Sequence, residues 1–550
     1  MGPFVRPPAP NFNITASDLA EQGFLTVQRL QNALSAIVDN VALEDASFDN
    51  TVRQLAQAEN ELNFDAQYMS LLRSVAPLSK IRQAASDAGK EIIRGYLAML
   101  QHERLFALVD AVHDRAHKED LDYESNGFST KSIPPFMANV GSEPGSVWKS
   151  EQALAGLSRG KLESLDQDSD GNRRINLTRP DVTAVLRQCH VDETRREVFL
   201  RSQAIFPDNV PIFQEAMVLR DKAARLLGHP SFSAQRLKDK MAKSPETVDK
   251  FLAELNGRLQ PLICAEIRHL RRLKDAREDS SFYLWDFEYY HQKILKGRRV
   301  DHEVVSEYFP ADHAIQQMNI FQHLFDLSIE EVKDRADDQV WHPDVKMFAE
   351  YMTYLGRRGM PCSAGIARSV RDFVETPSQL LEYWCWNPET LQQLSCHYSY
   401  LSDGHRQARC RLQGQADAKQ PSKELPRELI AELIASKHVN QGISTSRLVA
   451  LGMFDMQVHD PKSSGDLETT SIANTYSSLL RDVTHLAGPK DGASMGHGYA
   501  TTAHFMWGAE ANYYSYLHVL ARRESLRQTC GRRASATTAW TRPQRFGIEN

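Results

Sequence analysis

No long apolar run occurs in this sequence of 550 residues. A membrane-spanning helix needs about 18 or more consecutive apolar residues, and no stretch approaches that length. The first residues also lack the apolar core of a secretory signal peptide. Basic residues are not in excess, because the net charge is -6, so the chain has no electrostatic footprint for nucleic acid or an anionic membrane. We therefore expect a cytoplasmic protein that binds neither nucleic acid nor membranes.

Cysteine is scarce and scattered. The chain has 7 cysteines, an odd number, and no two of them form a Cys-x-x-Cys pair. This pattern fits neither a disulfide framework nor a zinc site built from cysteines. It predicts free thiols in a reducing compartment, which again favours the cytoplasm.

Proline is absent from residues 78–132. Because proline breaks helix interiors, its absence permits long helices there. Within Glu91–Val112 the apolar residues recur at helical spacing, as one buried helix face requires. We expect an N-terminal helical lobe over residues 18–180, preceded by an extended, proline-rich arm over residues 1–17.

The sequence also lacks a His-Glu-x-x-His motif. In that motif two histidines, four residues apart on one helix face, bind zinc, and the glutamate between them acts as general base. The chain contains two His-Glu pairs, at 102–103 and 302–303. Phe106 and Ser306 stand where the second histidine would be. The motif is therefore absent.

Acidic residues in the segment Arg371–Trp386 form the most informative pattern that is present. Glu375 and Glu382 are seven residues apart, so two helical turns would place both carboxylates on one face. Such a pair is costly to bury unless it meets a cation, a metal or hydrogen-bond donors. A solvated acidic face or a structural salt bridge is the alternative interpretation.

This segment, RDFVETPSQLLEYWCW, closely resembles one in the zinc metalloendopeptidase family of thimet oligopeptidase, neurolysin and saccharolysin. The resemblance implies that Glu375 occupies the position of the third zinc ligand and that Glu382 supports it. The resemblance covers roughly residues 20–523 in fragments, with moderate similarity at Gln188–Arg196 and 285–345 and weak similarity before residue 150.

A second segment, Ala503–Leu517, also resembles the family. The resemblance implies that His504, Tyr513 and Tyr516 hydrogen-bond the substrate and the developing oxyanion. Ala509 stands where many family members have a further tyrosine. Packing in the core is the alternative role for these aromatic residues.

The resemblance implies a mainly α, two-lobe peptidase fold with a deep channel that admits short unstructured peptides. Residues 181–525 would form the catalytic lobe and residues 526–550 a disordered tail. Near 349–371 the family carries strands, a glycine-rich turn and the His-Glu-x-x-His helix, which this chain lacks. We therefore expect its small β content to be largely lost.

The function implied is zinc-dependent cleavage of short oligopeptides in intracellular peptide turnover, with zinc as cofactor and a monomer favoured. Because two histidine ligands and the general base are missing, we expect the chain as written to hold no zinc and to cleave nothing. Three interpretations remain: an active peptidase whose segment is lost from an incomplete gene model, a non-catalytic peptide-binding relative, and a helical scaffold. Rescue of the zinc site by His342, His397 or His504 is a further alternative.

Three local patterns give additional predictions. Asp166–Asn176 matches the first positions of a calcium-binding loop but lacks its final glutamate, so we expect an acidic turn between two strands. Ser244 and Pro245 predict the start of a helix. The polar stretch His405–Lys423 is interpreted as a loop insertion.

Overall fold

The computed structural model describes residues 12–100, 102–115, 133–274, 281–298, 302–311, 313, 327–333, 339–342, 344–352, 372, 382, 386–412, 419–489 and 495–520. The chain divides into two compact units. Described residues up to 138, together with 329–350, form the first unit. Those at 139–328 and from 351 onward form the second.

The described residues are mainly helical, which confirms the predicted fold class. The helices are α1 Ala16–Asn40, α2 Arg53–Val75, α3 Ser79–Leu100, α4 Glu103–Arg115, α5 Ile133–Val140, α6 Arg159–Glu163, α7 Arg179–Gln188, α8 Asp192–Ser202, α9 Asn209–Leu226, α10 Phe232–Leu237, α11 Pro245–Lys274, α12 Phe287–Gly297, α13 His302–Ser306, α14 Pro388–Leu394, α15 Asp403–Leu412, α16 Arg427–Lys437, α17 Gln441–His459, α18 Ser464–Thr469 and α19 Ile472–Thr484, followed by a helical stretch at 515–520. One π-helical turn, Phe48–Val52, and two 3-10 turns, Tyr398–Tyr400 and Gly498–Thr501, join them. The strands are β1 Ser146–Lys149, β2 Arg173–Asn176, β3 Leu327–Glu331 and β4 Phe348–Met352.

The first unit is built on α1 to α4, whose apolar faces form one core. Thr15 begins α1, since its side chain accepts the Asp18 N–H while Asp18 accepts the Thr15 N–H. The approach of α1 to α3 requires a glycine at position 23, because a Cβ there would lie 3.0 Å from the Ala88 Cβ. The continuous helix expected over 91–112 is interrupted between α3 and α4.

Residues 329–350 complete the first unit. β3 pairs with β4 in a two-stranded sheet. The ring of Trp341 lies 5.4 Å from that of Phe12, centroid to centroid, so aromatic packing attaches this segment to the start of the chain. In the part of the chain that the structure describes, no helix combines the length and the apolar composition that crossing a bilayer requires.

Near the start of the second unit β1 and β2 pair antiparallel, with Val147 opposite Ile175. The predicted acidic turn lies between them. Asp168 Oδ1 accepts the N–H groups of Asp170 and Asn172, and Gly171 has a positive φ of 81°. The carboxylate is thus occupied by the turn's own donors, as in an ordinary Asx turn.

Long helices form the body of the second unit. α11 begins at Pro245, and Ser244 Oγ accepts the Thr247 N–H, so the predicted helix start is confirmed. α11 packs along α17, which also packs on α19. Glu266 of α11 accepts the N–H groups of Gly442 and Ile443, at 3.0 and 2.8 Å, in the first turn of α17.

The loop predicted over 405–423 is wrong in its first half, since α15 runs through Leu412. Ser402 Oγ accepts the His405 N–H, and Asp403 and Arg411 place opposite charges at the two helix ends. These local signals form a helix although the composition is polar.

Several predictions fall outside the described residues. These are most of the arm at 1–17, the tail at 526–550 and the junction at 353–371. The predicted lobe boundaries and the deep channel remain predictions.

Candidate functional site

The chain brings His504, Tyr513 and Tyr516 together, and we call these three residues the aromatic cluster. The ring centroids of His504 lie 6.0 Å from Tyr513 and 6.3 Å from Tyr516. Those of the two tyrosines are 5.2 Å apart. All three pairs pack edge to face, an arrangement that aromatic quadrupoles favour. The sequence-predicted substrate residues are therefore neighbours in space.

The cluster has one exposed and two half-buried members. His504 is exposed, and its Nδ1 shares a hydrogen bond of 2.6 Å with Thr502 Oγ1. Burial raises the pKa of Tyr513 to about 12, and the neighbouring Tyr516 and Asp455 add to the effect. The phenol of Tyr513 therefore stays protonated at neutral pH and can donate a hydrogen bond.

The loop that carries the cluster contains two residues with positive φ. Gly508 has φ 99° and Ala511 has φ 53°. The left-handed region is ordinary for glycine but unfavourable for alanine, so Ala511 needs support from its surroundings. Ala509, at the position of the family's further tyrosine, is buried.

Asp455 of α17 supplies that support. Its Oδ1 accepts the N–H of Ala511 at 3.1 Å, and its Oδ2 accepts the N–H of Tyr513 at 2.9 Å. The side chain is fully buried. The sequence alone assigned no role to Asp455. One signal in the sequence could have identified Asp455: it stands four residues before His459 in an apolar segment, so the two side chains share a helix face.

Arg220 of α9 holds the beginning of the same loop. Its guanidinium donates to the carbonyl oxygens of Phe505, at 2.9 Å, and Met506, at 2.6 Å. It also lies 3.0 Å from His459 Nε2. Burial lowers the pKa of Arg220 to about 10, so it is still a cation at neutral pH. Nothing in the sequence alone singled out this arginine.

The segment that carries the predicted zinc ligand is described at two positions before Trp386. Asp372 is helical and buried, and its Oδ2 accepts the Tyr514 hydroxyl at 2.9 Å and the Ala242 N–H at 3.2 Å. Glu382 is helical and exposed. Glu375 lies outside the described residues. The two most family-like segments of the sequence thus meet through Asp372 and Tyr514.

The residues that the structure describes form no zinc site. A catalytic zinc takes about three protein ligands. The described ranges contain no group of three or more His, Cys, Asp or Glu side chains that could hold a metal. His397 is buried, with its ring nitrogens 2.9 Å from Ser399 Oγ and from Glu307 Oε2, so both are already engaged. His342 is exposed beside Asp344.

Comparison with known proteins places these observations in a family. The model described as "Peptidase family M3" matches two adjoining stretches of the chain, residues 185–354 and 352–521. The stretches meet within 349–371, the segment in which the family resemblance predicts that the zinc motif is missing.

Two curated relatives extend the comparison over most of the chain. Saccharolysin of Saccharomyces cerevisiae is 26% identical over 637 positions, which cover 92% of this chain and 85% of that protein. Oligopeptidase A of Salmonella typhimurium is 22% identical over 610 positions, which cover 88% of this chain and 85% of that protein. Both alignments are longer than the 550-residue chain, so both contain gaps in this chain's sequence.

Among solved structures, oligoendopeptidase-F from Enterococcus faecium is similar with a TM-score of 0.46 and 11% sequence identity. The match covers 94% of this chain and 90% of that one.

Proposed function

Since the chain belongs to peptidase family M3, we propose that its ligands are short oligopeptides and that the 550-residue chain binds them without cleaving them. The observation that carries this proposal is an asymmetry between two halves of one site. The aromatic cluster is assembled on a supported loop, whereas the sequence has no His-Glu-x-x-His motif.

The binding half of the site would act through hydrogen bonds to the peptide backbone. In this proposal Tyr513 donates its phenolic hydrogen to a peptide carbonyl, and its raised pKa keeps that hydrogen in place. His504 offers an exposed imidazole, whose Nδ1 is engaged by Thr502. Tyr516 packs against both and fixes their spacing. Donors placed at a carbonyl oxygen are what oxyanion stabilisation requires, so the same groups suit a substrate carbonyl.

The missing half would be the metal half. Zinc, when bound in such an enzyme, activates water for attack on a carbonyl. In this chain Glu375 would be a single ligand, because both histidines and the general base of the motif are absent from the sequence. We therefore propose that the chain holds no stoichiometric zinc, with Glu382 retained as a helix-surface carboxylate.

We also propose a cytoplasmic monomer. The cytoplasmic location is supported by the thiols. The cysteines that the structure describes are all free, namely Cys189, Cys264, Cys396 and Cys410. Free thiols persist in reducing compartments.

A second function has a specific observation in its favour. The two family matches adjoin at 352–354. The alignments also contain gaps, at which the relatives have residues and this chain has none. A zinc oligopeptidase from which an incomplete gene model removed one segment would produce this pattern. Sequencing the transcript across codons 340–375 decides between the two. An in-frame His-Glu-x-x-His segment would establish the peptidase, and an unbroken short junction would leave the binding protein.

Peptide binding itself is tested by fluorescence anisotropy with a labelled short peptide of mixed sequence. We expect saturable binding that weakens about tenfold, or about 1.4 kcal/mol, in Tyr513→Phe. Tyr400→Phe is the matched control, because Tyr400 is exposed, lies outside the aromatic cluster and donates its hydroxyl hydrogen to the Pro421 carbonyl. Absence of any binding to the parent chain would instead favour the helical scaffold.

A further inference from the structure

We propose that Asp455, His459 and Arg220 form a positioning array that holds the aromatic cluster in place by fixing both ends of the loop that carries it. The array touches the loop backbone rather than a ligand, so its members are positioning residues. The proposal rests on the proposed function where it concerns peptide binding, but its structural part stands independently.

The first end of the loop is held by Arg220. Its two donors to the carbonyl oxygens of Phe505 and Met506 fix the backbone directly after His504. A guanidinium is rigid and planar, so two bonds from one side chain fix orientation as well as distance.

The second end is held by Asp455. Its two carboxylate oxygens accept the N–H groups of Ala511 and Tyr513, which lie two residues apart. Ala511 has the left-handed conformation, which it does not adopt readily by itself. Because it accepts the N–H groups of Ala511 and Tyr513, the carboxylate stabilises the turn that brings Tyr513 and Tyr516 next to His504.

His459 connects the two ends, and its tautomer follows from its partners. Arg220 can only donate, so His459 Nε2, at 3.0 Å, accepts. The ring proton of a neutral imidazole is then on Nδ1, which donates to the backbone carbonyl oxygen of Asp455 at 2.9 Å and also lies 2.9 Å from Asp455 Oδ1. The chain of contacts runs from Arg220 through His459 to Asp455, and all three side chains are buried.

The groups facing the array belong to several elements. Arg236 of α10 pairs with Glu510 of the loop at 2.9 Å, and both are buried. The charge of Glu510 in turn favours the cationic form of Arg220. The loop is thus held by side chains of α9, α10 and α17, so its shape depends on matched charges.

The test uses the full chain with Asp455→Asn, which preserves volume but replaces one acceptor oxygen with a donor facing backbone N–H groups. Asp286→Asn is the matched control. Asp286 is equally buried and pairs with Arg195 and Lys274, none of which belongs to the aromatic cluster or to the array.

Two measurements separate positioning from general stability. The first is a fluorine NMR titration of 3-fluorotyrosine at position 513. We expect its apparent pKa to fall by about one unit in Asp455→Asn, because a neighbouring negative charge is lost and the ring becomes exposed, and to stay unchanged in Asp286→Asn. Arg220→Lys keeps every charge, so a fall in that variant reports exposure of the ring alone. The second is peptide anisotropy, with binding about tenfold weaker in the first variant alone, or about 1.4 kcal/mol.

An unchanged titration of residue 513 in a folded Asp455→Asn chain would overturn the proposal. A fall in the pKa at 513 in both Asp455→Asn and Arg220→Lys, without peptide binding by the parent chain, would support the array and reject the proposed function. If Asp455→Asn fails to fold by circular dichroism, Arg220→Lys decides. It keeps the charge but cannot hold two carbonyls and His459 together, so the same fall in the pKa at 513 is expected, and its absence would overturn the proposal.

Discussion

Tyr514 donates a hydrogen bond of 2.9 Å to Asp372 Oδ2, and both side chains are buried. This contact joins the segment that carries the predicted zinc ligand to the loop that carries the aromatic cluster. Burial, followed by the adjacent Asp372 carboxyl, raises the pKa of Tyr514, so the phenol remains a donor. This buried hydrogen bond is present in a chain whose sequence has no His-Glu-x-x-His motif.

Tyr514→Phe removes that donor and leaves a buried acceptor with one partner fewer. We expect the free energy of unfolding to fall by about 1–3 kcal/mol. Urea denaturation measures it, with one m-value fitted to the parent chain and the variant. Tyr499→Phe is the control, because Tyr499 is also buried but its hydroxyl makes no hydrogen bond to the described part of the chain. Equal losses in the two variants would contradict a specific role for the Asp372 contact.

Arg236→Met breaks the buried pair with Glu510, whose nitrogen and oxygen are 2.9 Å apart. Because it leaves a carboxylate buried without its cation, we expect a loss of about 3–5 kcal/mol in the free energy of unfolding. Arg196→Met breaks an exposed pair with Glu193 on α8 and should cost at most about 1 kcal/mol. Thermal and urea unfolding of both variants measure the difference, and similar losses would argue against a role for burial.

Stability should decrease at alkaline pH. Burial is the main cause that raises the pKa of Tyr476, Tyr499 and Tyr513 to about 12. A raised pKa in the folded state means that the unfolded chain loses its phenolic protons first, from about pH 10. The stabilisation is therefore complete below pH 10 and is lost as the pH rises toward 12.

Urea midpoints measured between pH 9 and 12 test this prediction, with the pH range set by these pKa values. Tyr499→Phe removes one of the groups and should make the decrease shallower. A flat profile would show that these phenols ionise as easily in the folded chain as in the unfolded one.

Much of the fold could be predicted from residue patterns, because the spacing and capping residues that indicate a helix lie within the helical segment itself. The start of α11 followed from Ser244 and Pro245, and the helical character of the first unit followed from apolar spacing. α15 was missed because its residues are polar, and only the cap at Ser402 and the end charges indicated a helix.

The site could be predicted only in part. The contact of His504 with Tyr513 follows from a family resemblance, but the supports of their loop come from distant parts of the chain. Arg220 is separated from Phe505 by 285 residues, and no local pattern encodes that pairing. Glu375 lies outside the described residues, and its role as a ligand stays a prediction.

The central claim is that the chain keeps the peptide-binding half of the site without the metal half. Incubating the purified 550-residue chain with a quenched fluorescent peptide, with and without added zinc, tests it most directly. The account predicts no rise in fluorescence under either condition, while the same peptide still binds. A zinc-stimulated rise that a chelator abolishes would contradict it.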